Sequence, residues 1–271
     1  MRIALLTLEA LASAEPVRRF VTTHRDRIVL VALSDPYRPQ QGGMTGQAIR
    51  LLRQSGPRLL PYMIANFSLP RIAGMLPLRR RTPERTPMAQ LCRSLGIAVE
   101  TAADMNAAQF QERLRQCDAD LIVTFHCDQI LTQTTISCPR WGAINVHAGL
   151  LPDHRGPVPT IHALLAETPR FGVTVHRLVP RIDAGPILAQ EAVALPATTT
   201  ALAAALHLHW RALPLLSHVL DALETGSATD RLVEPGPYCG FPTSAQLRHL
   251  SGMRRRAASW RDVMHALRVP A

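Results

Sequence analysis

Two stretches constrain this chain most: residues 27–34, RIVLVALS, and 119–125, ADLIVTF. Each is a short, nearly continuous apolar run rich in Val, Ile and Leu. A strand with one face in water alternates apolar and polar side chains. A run without alternation marks a strand covered on both faces, as in a parallel sheet flanked by helices. Between the runs the hydrophobic period lengthens to that of helices. Further strands are expected at 2–6, 97–99, 142–147, 172–178 and 187–193. Helices are expected at 16–23, 44–54, 88–95, 106–115, from 160 onward and across 200–223, and 130–136 reads as a turn or short helix. Gly96 and Gly226 stop two of these helices. The order predicts an α/β fold, a doubly wound, mostly parallel, Rossmann-like sheet with helices on both faces and a short C-terminal extension. After the first strand the chain reads TLEALASA, without the GxGxxG that binds a dinucleotide pyrophosphate, so NAD is disfavoured.

A length of 271 residues with 47% hydrophobic content suits one large domain. It is expected over 1–226, with an irregular insertion at 36–86; residues 227–271 form an arm and a short helix, too short to be an independent domain. The insertion carries PRLLPYMIANFSLPRIAGMLPL at 57–78, broken by four prolines and followed by Arg79, Arg80 and Arg81. It reads as irregular helix packed on the sheet, with a lipid-covering or membrane-surface segment as the alternative. The net charge is +10 and every basic residue is Arg. So uniform a usage reflects base composition, and the charge is not taken as a sign of function, although it would suit phosphates or nucleic acid. The five cysteines form no CxxC pair and read as reduced thiols of a cytoplasmic protein. Cys127 and Cys138 lack the spacing of a zinc site, so no metal is expected. Glu9 interrupts the apolar N-terminus, which reads as a first buried strand rather than a leader, and no apolar run is long enough to span a bilayer.

The chemistry gathers around AINVHAGLLP at 143–152. Side chains two apart on a strand share a face, so Asn145 and His147 point together at a strand's carboxyl end, where open α/β sheets bind ligands. An amide and an imidazole suit a carbonyl whose oxygen gains negative charge under attack. Asp183, 38 residues after Asn145, precedes an Ala-Gly-Pro turn and can steer a water or tune the histidine. Taken singly, each residue also has a structural account: a turn tie, a core histidine, a turn initiator.

Together with Leu150-Leu151-Pro152, Arg155-Gly156, Gly172-Val173-Thr174 and Ile182-Asp183-Ala184-Gly185-Pro186-Ile187-Leu188, these residues resemble the signature of the folate-dependent formyltransferases. The resemblance is clear over residues 87–226, weaker over 1–35, and fades elsewhere. It implies an N-formyltransferase using 10-formyltetrahydrofolate without a metal, with Asn145, His147 and Asp183 as its catalytic triad. It assigns the donor's pterin to Asp128, Gln129, Ile130 and Leu131 and to the loop holding Val179, Arg181 and Ile182. It gives the acceptor side to Leu151, Pro152, Arg155 and Gly156. The sequence departs from the family at Gly149, commonly Ser, a change expected to alter local hydrogen bonding rather than the triad. FHCDQIL at 125–131 also departs from the commoner donor loops.

The expected acceptor is a small-molecule amine, either an amino sugar on a nucleotide, for which arginine suits the pyrophosphate, or a biosynthetic amino compound; a lipophilic or carrier-bound amine is a third choice. Methionyl-tRNA formyltransferases of the family carry an added C-terminal domain, whereas 45 residues follow Gly226 here (271 − 226), which disfavours tRNA. The same residues would also suit hydrolysis of formyltetrahydrofolate, or a non-catalytic homologue that binds folate. The expected assembly is a monomer or homodimer.

Overall fold

A computed structural model describes residues 1–34, 43–70, 72 and 82–268. Seven strands, β1 (Ile3–Thr7), β2 (Ile28–Ser34), β3 (Ala98–Ala102), β4 (Leu121–Phe125), β5 (Ala143–His147), β6 (Phe171–Arg177) and β7 (Ile187–Val193), form one sheet in the order β3-β2-β1-β4-β5-β6-β7. The first five are parallel; β6 runs antiparallel to β5, and β7 to β6. The doubly wound, mostly parallel sheet expected from the apolar runs is therefore present, with an antiparallel edge.

Alternate residues of the central strands enter two cores. On one face Ile3, Leu5 and Val123 pack with Val17 and Phe20 of α1 (Ala14–Thr23). On the other, Ala4, Leu6 and Ile122 pack with Phe110 and Leu114. This double coverage is why β1 and β4 are buried at every position. The edge strand β3 is half-buried over most of its length and runs three residues beyond the expected 97–99. The remaining helices are α2 (Gly43–Ser55), α3 (Leu60–Met63), α4 (Met88–Leu95), α5 (Ala108–Gln116), α6 (Gln133–Ile136), α7 (Pro159–Leu165), α8 (Ala201–Thr225), α9 (Ser244–Gly252) and α10 (Trp260–Ala266). Gly96 and Gly226 close α4 and α8 in the left-handed conformation, at φ 71° and 72°.

A third core joins parts far apart in sequence. Leu59, Tyr62 and Ala65 of the insertion, Val158 and Ile161 at the start of α7, and Leu247, Leu250 and Ala266 of the C-terminal segment pack together. The insertion is helical where described, running as a 3₁₀ turn (Pro57–Leu59), α3 and a π turn (Ile64–Ser68). The C-terminal arm lies on its own domain: Cys239 N–H donates to the Arg155 carbonyl at 2.7 Å, and Arg231 pairs with Ile187. The turn at Asp35-Pro36, the basic run 79–81 and residues 71 and 73–78 of the apolar segment lie outside the described residues. Among the described residues no helix is long and apolar enough to cross a membrane, and the five cysteines are free thiols.

Candidate active site

The carboxyl end of β5 opens into a cavity of about 770 Å³ lined by Asn145, His147 and Asp183. The period of two on β5 brings Asn145 and His147 to one face, and the turn after β6 returns Asp183 beside them. Asp183 holds a left-handed backbone, φ 45°, which a short polar side chain tolerates. Its Oδ2 accepts the Gly156 N–H at 2.8 Å and lies 3.6 Å from His147 Nδ1.

A fourth side chain completes the cluster. His176 of β6 sits opposite Asn145 in the antiparallel register. Its Nδ1 donates to the Arg177 carbonyl at 2.8 Å, which leaves Nε2 to accept from Asn145 Nδ2 at 3.1 Å. The same Asn145 amide donates to Asp183 Oδ1 at 3.4 Å, and His176 Nε2 lies 3.5 Å from that oxygen. Thr124 of β4 donates to Asn145 Oδ1 at 2.7 Å, which fixes the amide with its N–H groups toward Asp183. His176 and Thr124 stand outside the expected site residues. The sequence offers one faint signal: Gly172, Thr174 and His176 alternate as one face of an otherwise apolar strand.

Burial opposes charge on both members of the His147–Asp183 pair, yet their fates differ. Asp183 is held well below the usual carboxylate range, because His147, His176 and the Gly156 N–H together outweigh the burial that would raise it. His147 is pushed below the usual imidazole value by burial and by His176, against the pull of Asp183. Both its nitrogens nevertheless face oxygens, Nδ1 toward Asp183 and Nε2 at 3.2 Å from the His154 carbonyl. Burial thus disfavours the charged ring, while the two oxygens around it are arranged to receive its protons when negative charge develops nearby.

The expected donor residues divide. Asp128, Gln129, Ile130, Leu131, Val179 and Ile182 line the cavity. Gln129 does so with its amide spent inside the protein, donating to Ser34 Oγ and the Ala102 carbonyl and accepting from Met105 N–H. Asp128 accepts from Ser34 Oγ, and Ile130 is 59% exposed. Arg181 is exposed and outside the lining.

On the acceptor side Gly156 lines the cavity, but Leu151, Pro152 and Arg155 do not. Arg155 is 3% exposed, and its fork donates to the carbonyls of Ile182 (3.0 and 2.5 Å), Asp183 (3.2 Å) and Gly236 (2.6 Å). The reading of Arg155 as a substrate ligand is corrected: it clamps the Asp183 loop to the C-terminal arm. Gly149 also needs correction. A Cβ there would lie 2.9 Å from His147 Nε2 and 2.8 Å from Pro159 Cβ, so the missing side chain bears directly on the triad.

Segment 57–68, expected as helix packed on the sheet with a substrate-covering segment as the alternative, does both: Leu59 and Tyr62 enter the third core, and Leu59, Tyr62, Met63, Ile64 and Phe67 line the same cavity.

Known proteins resemble this chain in sequence and in fold. Methionyl-tRNA formyltransferase of Methylococcus capsulatus is 35% identical over 154 residues, 57% of this chain and 49% of that protein. The chain thus spans about half the length of this curated relative. A sugar N-formyltransferase from Shewanella sp. FDAARGOS_354 shares the fold at a TM-score of 0.56 and 18% identity, covering 99% of this chain and 88% of the other. A sugar 3N-formyltransferase solved in the presence of dTDP and 5-N-formyl-THF aligns at 0.54 and 14% identity, covering 89% of this chain and 70% of the other. The model of the Formyl transferase family matches residues 77–216, more than half of the chain and the whole span that carries Asn145, His147 and Asp183, and the chain belongs to that family.

Proposed function

We propose that the chain is an N-formyltransferase that moves a formyl group from 10-formyltetrahydrofolate to the amine of a small molecule. The observation that carries the reading is the convergence of the Asn145 amide, the His147 ring and the Asp183 carboxylate in the lining of one cavity. The relatives described above are formyltransferases, and one was solved with a formyl folate.

The donor brings a formyl carbon carried on nitrogen. The loop at 128–131 and the loop at 178–182 offer backbone groups and the side chains of Ile130, Val179 and Ile182 to hold its pterin, which suits a flat heterocycle with hydrogen-bonding edges. As the free amine attacks, the formyl oxygen becomes anionic. The Asn145 N–H that makes the long 3.4 Å contact to Asp183 swings to that oxygen, while the other stays on His176, and His147 donates a ring N–H and becomes more basic as that charge grows. One such donor is typically worth about 100- to 1000-fold in rate. Asp183, ionised throughout, orients a water that accepts the proton the attacking nitrogen must lose and passes one to the departing nitrogen.

The assay incubates protein and donor with and without a panel of amines and follows tetrahydrofolate appearance. Release that requires an amine supports transfer. Release without one means hydrolysis of the donor, and no release with any amine means a folate-binding homologue. The similarity to methionyl-tRNA formyltransferases keeps methionyl-tRNA as the second reading, so it belongs in the same panel.

A further inference from the structure

The donor loops occupy one side of the cavity, where Leu131 rests on the core beneath β4. Another part of the lining rests on the third core and is apolar. Its wall is built from Leu52, Leu60, Met63, Ile64 and Phe67, with Phe241 reaching in from the C-terminal arm. Leu52, Leu60 and Ile64 are 41%, 40% and 45% exposed, so this wall presents hydrocarbon to water. Histidines aside, the charged residues of the whole lining, among the described residues, are Arg50, Asp128 and Asp183. Asp183 belongs to the triad, and Asp128 is held by Ser34. Arg50 is thus the single non-histidine cation of the lining among the described residues, too few for a diphosphate.

Two histidines on this side add no charge. His209 projects from α8 with Nδ1 donating to the Ala12 carbonyl at 2.7 Å, which leaves Nε2 as an acceptor. His126, 5.6 Å from it between ring centres, lies 2.7 Å by Nδ1 from Ser13 Oγ. Burial pushes both rings well below the usual imidazole value, so neither supplies positive charge to an anionic acceptor.

We propose that the acceptor is a primary amine with an apolar body, an alkyl or aryl amine, whose hydrocarbon lies against Leu52, Leu60, Ile64 and Phe67 and whose amine N–H faces His209 Nε2. The inference rests on the formyl-transfer reading and narrows its substrate class. The C–N bond from amine to formyl carbon forms, the formyl bond to the donor nitrogen breaks, the amine loses one proton and the donor nitrogen gains one.

The test uses the full chain with 10-formyltetrahydrofolate and three acceptor sets: straight-chain amines from butyl to octyl with phenethylamine, a dTDP-linked amino sugar with glycinamide ribonucleotide, and methionyl-tRNA. The expected result is kcat/KM rising about threefold per added methylene and exceeding that of every phosphate-bearing acceptor. Ile64→Glu should raise KM for octylamine at least tenfold, while affinity for 5-formyltetrahydrofolate, measured by titration, stays within twofold. Faster transfer to a nucleotide-linked amine or to methionyl-tRNA overturns the acceptor class and leaves formyl transfer standing, as does an absence of chain-length dependence. Tetrahydrofolate release that no amine stimulates overturns both.

Discussion

Asn145 and His176 face each other across the antiparallel pair of β5 and β6, with the Asn145 amide nitrogen 3.1 Å from His176 Nε2. The contact gives Asn145 a second anchor beside Thr124, so its amide is held on both ends before any ligand arrives. Preorganised donors cost no reorientation when charge develops, and a misplacement of about 1 Å can cost 100-fold. His176→Phe should therefore lower kcat roughly 10- to 100-fold with little change in the KM for the donor. His176→Gln, which keeps an acceptor opposite Asn145, should restore much of the loss. Equal effects of Phe and Gln would remove the positioning role.

Asp183 is tested without disturbing its backbone by Asp183→Asn, because Asn also tolerates the left-handed conformation at φ 45°. The variant should melt within a few degrees of the parent and lose about 100-fold or more in turnover. Asn145→Ala should lose about 100- to 1000-fold. Steady-state kinetics beside thermal melts decide; near-parental turnover in both would sink the proposed triad.

The sheet was legible because burial on both faces leaves unbroken apolar runs, and Asn145, His147 and Asp183 were legible because a period of two and a Gly-Pro turn are local. His176 and Thr124 were not, since their roles depend on which residues lie opposite in the register, and register is set by packing across elements. Arg155 misled for a related reason: a guanidinium next to glycine looks the same in sequence whether its fork meets a ligand or three backbone carbonyls of its own chain. The wall at 57–68 is ambiguous in sequence between packing and substrate cover because its apolar residues serve both purposes, Leu59 and Tyr62 in the core and Ile64 toward the cavity.

Gly149 offers a test of close approach. A Cβ there presses on His147 Nε2 and Pro159, so Gly149→Ser must displace one of them. The expected outcome is a fall of roughly tenfold or more in kcat, with a modest loss of stability. An unchanged kcat in Gly149→Ser would show that Pro159 yields and the ring keeps its place.

Acid should destabilise the fold earlier than carboxylate protonation alone would. His209, 4% exposed, takes a proton at about 3 when folded and near 6.5 when unfolded, because burial disfavours its charge. Between those values the unfolded chain binds more protons, so stability falls as pH drops below about 6.5, by about 1.4 kcal/mol per pH unit for this ring. His126, lowered to about 4 by burial, and His147, lowered by burial first, act in the same direction. Asp183 adds to the loss only below its unfolded value of about 3.9. Melting temperature should be flat above pH 7 and decline from pH 6.5 to 4.5. His209→Leu should start lower, having lost the Ala12 contact, and decline with a shallower slope; parallel slopes would show that His209 is not a proton sink on unfolding.

Arg155 joins three carbonyls through all of its fork, two in the loop that carries Asp183 and one in the C-terminal arm. Arg155→Ala leaves those carbonyls without their charged donor in a buried place, at a cost of about 3 kcal/mol or more, a drop of roughly 6–10 °C in melting temperature for a chain of this size. Because Gly156 N–H and Asp183 Oδ2 meet beside the clamp, the loop that aims the carboxylate should loosen as well, so turnover falls even at temperatures where the variant is fully folded. Arg155→Lys should recover little of either loss, since a single ammonium cannot span carbonyls at positions 182, 183 and 236 in the way the planar fork does. Thermal melts and kinetics on both variants separate this arrangement from a ligand contact. A residue that only gripped the acceptor would raise its KM and leave the melt unchanged, whereas the clamp lowers the melt first and takes activity with it.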